Sequence, residues 1–143
     1  MSNVAQMIRS KAGQAVQTTT PGASVREVMQ LMAEHRIGGL PVVEGGQIVG
    51  IVTERDIVRK VELQGRTAAA TAVRDIMTAP VMYVGPERTT QECMALMTER
   101  RLRHLPVLDG GQLVGLISIG DLVKDIISEQ EFMIQQLQSY IQS

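Results

Sequence analysis

Tryptophan is absent from this chain of 143 residues, and its aromatic rings come to one Phe and two Tyr: Phe132, Tyr83 and Tyr140. Grooves for single-stranded nucleic acid stack bases on several aromatic platforms, so the scarcity argues against that class. A flat ring bound here has to be gripped by Ile, Val, Leu and Met. Charge of one sign is lacking as well: the formal net charge is −1, with acids and bases interspersed, and there is no basic footprint for nucleic acid as a main partner. The lone cysteine, Cys93, excludes a disulfide within the chain and fits a reducing compartment. No run approaches the roughly 20 apolar residues of a membrane span. The segment Met1-Ser2-Asn3-Val4-Ala5-Gln6 has neither the basic nor the apolar part of a secretion signal. A cytoplasmic protein without membrane insertion is expected. The only histidines are His35 and His104. Without a metal-ligand cluster, a catalytic triad or a phosphate-cradling glycine run, neither catalytic nor metal-binding residues are assigned, and no enzyme is expected.

What is present is a repeat. Shifted by about 65 residues, Pro21 to Lys60 lies on Pro86 to Asp125 without a gap. Leu40-Pro41-Val42 meets Leu105-Pro106-Val107, Gly45-Gly46-Gln47-Ile48-Val49-Gly50 meets Gly110-Gly111-Gln112-Leu113-Val114-Gly115, and Asp56 meets Asp121. A tandem repeat of this length is two copies of one supersecondary unit, neither able to bury its apolar face alone. The length suits one compact domain with a real core. A pseudo-twofold axis between the copies would create paired clefts at their junction.

The spacing predicts strand, helix, strand, strand, helix in each copy. In the first copy these are Ala15 to Gln17, Val25 to His35, Leu40 to Val43, Ile48 to Val52 and Glu54 to Leu63. In the second, Val81 to Val84 is β-prone, and Thr89 or Thr90 caps a helix with Cys93, Met94, Leu96 and Met97 at helical spacing. Cys93 reads there as buried filler. Leu105 to Leu108 and Leu113 to Ile117 follow as strands joined through glycines that supply the positive φ of a tight hairpin. Residues 1–63 hold an N-terminal helix segment and the first unit, 64–72 a polar, alanine-rich linker, 73–128 the second unit, and 129–143 a helical extension. Ile126, Met133, Leu137, Tyr140 and Ile141 share a face of that last helix. Packing on the chain's own body and a seam between two copies suit it equally.

Each copy ends its third strand alike: Gly50-Ile51-Val52-Thr53-Glu54-Arg55-Asp56 and Gly115-Leu116-Ile117-Ser118-Ile119-Gly120-Asp121. A hydroxyl at a strand-to-helix junction is followed three residues on by a carboxylate. That is close to a capping box, which stabilises helix starts in any protein. The junction is also a helix N-terminus, where free N–H groups and the dipole favour phosphate. An acceptor-only carboxylate there suits the two O–H donors of a ribose diol.

On these residues, together with Arg36-Ile37-Gly38-Gly39-Leu40-Pro41-Val42-Val43 and Arg101-Leu102-Arg103-His104-Leu105-Pro106-Val107, the chain resembles the cystathionine-β-synthase (CBS) domain family. The likeness is to a stand-alone tandem pair, or Bateman module, and runs from Ser10 to Ser128. The resemblance implies an α/β fold of two units packed sheet against sheet, with two clefts for adenosyl ligands and a disc-shaped homodimer. It implies that the motif Asp binds ribose and the motif Thr or Ser meets phosphate or ribose, so Thr53 and Asp56 serve one cleft, Ser118 and Asp121 the other. It places Lys11, Ala12 and Gly13, and Met77, Thr78 and Pro80, in base pockets. Arg103 and His104, just before a strand, stand where family members hold phosphate; a solvated charge and a strand-edge histidine are the plainer readings. Their counterparts Gly38 and Gly39 form a tight turn or leave room for a bulkier ligand, and Arg55 could supply charge to the first cleft. The function implied is a regulatory module that senses an adenosyl nucleotide (AMP, ADP, ATP or NAD) and signals to a separate, regulated protein by changing conformation. A ligand-free scaffold for oligomerisation is the alternative.

Overall fold

A computed structural model describes residues 2–11 and 15–142. The chain is mixed α/β, with two two-stranded antiparallel sheets. In place of the single compact domain that the length suggests, it forms two compact units. One gathers Ala15–Met82 with the hairpin tip Gly110–Leu113, and the other the N-terminal segment, Tyr83–Asp109 and the chain from Val114 onward. The units thus cut across the repeat: each copy builds its core with the segment that leads into the other.

In the first of these units, helix α2 (Val25–His35) starts at Ser24, whose side chain forms a reciprocal capping box with Glu27. It ends at Arg36 in the left-handed region. Strands β1 (Gly39–Glu44) and β2 (Gln47–Thr53) pair through a hairpin in which Gly45 and Gly46 both have positive φ, 60° and 78°. Only a type I′ turn needs that pair of angles, and glycine adopts it without strain. A bulge leaves Val49 without a cross-strand partner, because Val42 faces Gly50 and Val43 faces Ile48. Helix α3 (Glu54–Ile57) runs on as a π turn over Val58–Glu62. Under these elements Val25, Val28, Met32, Leu40, Val42 and Val52 form one core with Val73 and Ile76 from the lead-in of the second repeat. The linker is tied to the same unit, since Thr71 is buried and its carbonyl accepts the Val25 N–H.

The other unit repeats the plan. Helix α1 (Val4–Ser10), capped by Asn3, is held by Val4 and Ala5 N–H groups donating to the Arg88 and Pro86 carbonyls. Helix α4 (Thr90–Arg100) is capped by Thr89, and strands β3 (His104–Asp109) and β4 (Gln112–Ser118) turn through Gly110 and Gly111 at positive φ. Helix α5 spans Ile119–Gln142. Val4, Met7, Cys93, Met97, Leu105, Ile117 and Leu122 are buried in it. Burial pushes the Cys93 thiol up, consistent with its role as filler.

Two expected strands are not there. Neither Ala15 to Gln17 nor Val81 to Val84 forms a strand; what remains is a one-residue parallel bridge, Thr19 to Val42 and Val84 to Val107. The reason is the proline in each central strand. Thr19 donates to the Pro41 carbonyl and accepts from the Val43 N–H, and Val84 does the same with Pro106 and Leu108. The next rung needs an N–H from the proline itself, which has none.

Candidate functional site

Both hydroxyl–carboxylate junctions form, and each receives a side chain from the opposite repeat's lead-in. At the first, Thr53 ends β2 in extended conformation and caps α3: the Thr53 hydroxyl accepts the Asp56 N–H. Asp56 Oδ2 in turn accepts the Thr53 N–H and hydroxyl at 3.0 and 3.1 Å. Asp56 Oδ1 accepts the Thr78 hydroxyl at 3.2 Å and lies 3.3 Å from Lys60 Nζ. Thr78 is held there by its backbone, which exchanges both hydrogen bonds with Ile51 of β2. Ile51 thereby turns its N–H and carbonyl away from β1, so its cross-strand neighbour Pro41 leaves no donor missing. Asp56 is buried, at 9% exposure. Met77 packs partly buried against the core, while Pro80 and Arg55 are exposed.

At the second junction Ser118 caps α5 and accepts the Asp121 N–H, and Asp121 Oδ2 accepts the Ser118 N–H at 2.8 Å. Lys11 reaches this carboxylate from 110 residues away, at 2.9 Å, and donates also to the Leu116 carbonyl at 3.1 Å. Burial pushes the Asp121 carboxyl up, but the Ser118 N–H, the Lys11 ammonium and the Ser118 hydroxyl together hold it below the usual aspartate range. Ala12 and Gly13 lie outside the described residues. Arg103 is exposed; its carbonyl accepts the Ile119 N–H, as that of Gly38 accepts the Glu54 N–H, so both residues stand beside a helix start. His104 opens β3, half-buried. Gly39 is the first residue of β1, opposite Thr53, and neither it nor Gly38 needs positive φ.

A depressed carboxylate pKa stabilises the fold above the unfolded value, near 3.9, and that contribution is lost as pH falls through the folded value. Asp121→Asn should therefore be less stable than the parent at pH 7, by a margin that shrinks as pH drops below about 4. Urea midpoints from pH 7 to 2 measure this; a margin independent of pH rules out the Lys11–Asp121 contact as its source.

Sequence reading missed Lys60. The signal was the spacing Asp56-x-x-x-Lys60, which puts both side chains on one helix face. The repeat places Asp125 at the corresponding position, and its Oδ2 is buried without a hydrogen-bond partner among the described residues. The two junctions therefore differ in where the cation comes from: one takes Lys60 from the helical turn that continues its own helix, the other Lys11, the residue that follows α1. No group of three or more His, Cys, Asp or Glu among the described residues is arranged to hold a metal ion. No helix of the described residues is long and apolar enough to cross a membrane.

Two hairpin-and-helix units of one plan, each ending in a capped Thr/Ser–Asp junction, define a tandem α/β module. The CBS domain model matches residues 7–63 and 73–128. The chain belongs to the CBS domain family, as a tandem pair. It is similar to a mitochondrial CBS domain-containing protein of Arabidopsis thaliana, CBSX3, at 39% identity over 128 residues, 86% of this chain and 62% of that protein's length. A solved CBS-domain protein from Burkholderia ambifaria is 56% identical, with a TM-score of 0.86 over 90% of this chain and 96% of that one. The CBS domain pair of protein MJ0100, solved in complex with 5′-methylthioadenosine and S-adenosyl-L-methionine, is 22% identical with a TM-score of 0.79. It covers 90% of this chain and 98% of its own, a likeness of fold.

Proposed function

We propose that the chain is a non-catalytic regulatory module that binds an adenosyl nucleotide (AMP, ADP, ATP or NAD) at Thr53–Asp56, Ser118–Asp121 or both, and signals to a separate protein. The observation that carries the reading is the link at each junction between carboxylate and lead-in: Thr78 on Asp56, Lys11 on Asp121. A ribose diol that takes either carboxylate competes with that link, and a phosphate beside the helix start offers the released Lys11 or Lys60 a new partner. Binding then shifts the population toward a conformation in which the lead-in is free, and only a ligand with different affinity for the two conformations can do so. Arg103, His104 and Arg55 flank the helix starts as further phosphate contacts, and Met77 and Pro80, with Ala12 and Gly13, belong to the base pockets. The homodimer and the cytoplasmic setting complete the reading.

The scaffold reading is favoured by one feature: the capping boxes engage both carboxylates with groups of the chain itself, as helix starts do in any protein. Thermal stability of the nucleotide-stripped protein separates the two. AMP, ADP, ATP, NAD, 5′-methylthioadenosine and S-adenosylmethionine are each titrated to millimolar. A ligand at 100 times its dissociation constant should stabilise the fold by about 2.7 kcal/mol, and Asp121→Ala or Asp56→Ala should abolish the shift at its own junction. No shift with any of the six, from folded and stripped protein, leaves the scaffold.

A further inference from the structure

The Lys11 ammonium stands between the end of β4 and the start of α5. It donates to the Leu116 carbonyl and to Asp121 Oδ2, the oxygen that also accepts the Ser118 N–H. A lysine has three N–H donors, so one remains uncommitted among the described residues. The side chain is 35% exposed, open to a small anion. Lys11 is also the one base that acts on the Asp121 carboxylate among the described residues. In the first repeat that cation is Lys60, carried by the helical run of Asp56 itself; here the lead-in carries it. The start of α1 is pinned by backbone bonds from Val4 and Ala5 to Arg88 and Pro86. Its last turn has no such bonds: among the described residues, Lys11 alone in 8–11 makes a hydrogen bond or ion pair outside the helix.

We propose that Lys11 reads the 5′ charge of the adenosyl ligand at the second junction: a 5′-phosphate keeps the last turn of α1 docked, and a nucleoside without phosphate sets it free. The inference rests on the nucleotide reading and fixes which ligands of that class move α1. Both ligands offer Asp121 the same ribose diol, and both make Lys11 give up that carboxylate. A phosphate beside the helix start then takes the ammonium in a charge-assisted bond, so the lead-in is caught again. A nucleoside offers the ammonium no anion in return. Lys11 then gains more by turning to water than by staying against the occupied carboxylate, and its end of α1 loses its only polar tie. The ligand's charge, rather than its ring, thereby decides whether α1 is held, because the residue that senses the charge sits on the segment that moves.

Hydrogen exchange of the full chain reads α1 directly. Saturating adenosine should speed exchange of the amides in residues 8–11 about tenfold over the ligand-free protein, and AMP should leave it unchanged or slow it. Calorimetry on Asp56→Ala, which leaves the second junction to bind, should find AMP about tenfold tighter than adenosine or more. Lys11→Met should bring the two within about twofold by weakening AMP and sparing adenosine, whereas damage to the fold would weaken both. Lys11→Arg should restore most of the preference. Should Asp56→Ala not fold, competition of AMP against the adenosine-induced exchange of α1 gives the same ratio in the parent. A preference for AMP that survives Lys11→Met overturns the proposal, as does equal exchange of α1 under both ligands. Binding of both without discrimination overturns this inference alone. Binding of neither, by folded and nucleotide-free protein, overturns the nucleotide reading and this inference with it.

Discussion

Truncating Leu122 to alanine should destabilise the protein by about 3–5 kcal/mol, the range of buried Leu→Ala replacements in which the site cannot collapse. Leu122 is fully buried and is the only buried side chain of the 24-residue helix α5. Everything else that α5 offers the body of its unit is partial. Ile126 is half-buried, Ile119 and Val123 are exposed, and residues 131–142 are exposed throughout. One side chain therefore anchors the helix that carries Asp121 and packs on α4. Against a total stability of about 5–15 kcal/mol for an ordinary domain, that loss is a large share. Leu137→Ala, on the exposed half, is the control and should stay within about 0.5 kcal/mol when measured on the monomer. Denaturant midpoints of the two variants decide it. A loss below about 1 kcal/mol for Leu122→Ala would mean that α5 is held chiefly by its cap and by Ser2, which bonds Glu129 at 2.6 Å.

Local chemistry was legible in the sequence because its causes are local. The hairpin glycines, the caps Thr89, Thr53 and Ser118, and the bounds of the helix over Val25 to His35 each follow from neighbours within four residues. The carboxylates Asp56 and Asp121 were found the same way, through their spacing from a hydroxyl and their duplication. Long-range pairing was not legible. That Lys11 closes on Asp121 and Thr78 on Asp56 depends on the exchange of lead-ins, which no periodicity encodes. The resemblance brought Lys11 and Thr78 into the candidate pockets without saying what they touch. The first strands failed for a reason visible only once the edge of β1 is known: Pro41 blocks the rung that Ala15 to Gln17 would need. Lys60 escaped because an Asp and a Lys four residues apart are usually a solvated pair; it matters only because Asp56 turns out to be buried.

Gly50→Val should separate the two junctions in a single experiment. A Cβ on Gly50 would sit 2.6 Å from the Met77 sulfur and 3.2 Å from the Thr78 carbonyl oxygen. The sulfur can swing away, but the carbonyl cannot, because Thr78 exchanges two backbone hydrogen bonds with Ile51. A β-branched side chain must therefore push Thr78 off β2. Overpacking of this kind costs about 1–3 kcal/mol, and each backbone bond lost adds about 1 kcal/mol. With Thr78 displaced, Asp56 loses one of its donors, and the ligand response of that junction should change while that of Asp121 persists. Gly115→Val is the mirror experiment. There the three nearest atoms to the Cβ would all belong to the half-buried side chain of Ile8, the closest at 3.0 and 3.1 Å, and none to backbone. Its cost should be smaller, and its effect should fall on Asp121 through α1 and Lys11. Urea midpoints together with nucleotide-induced thermal shifts on both variants give a crossed result if each lead-in serves the junction it touches. Equal changes at both junctions from either glycine would mean that the lead-ins brace the whole fold, and the link from Thr78 and Lys11 to ligand sensing would fall.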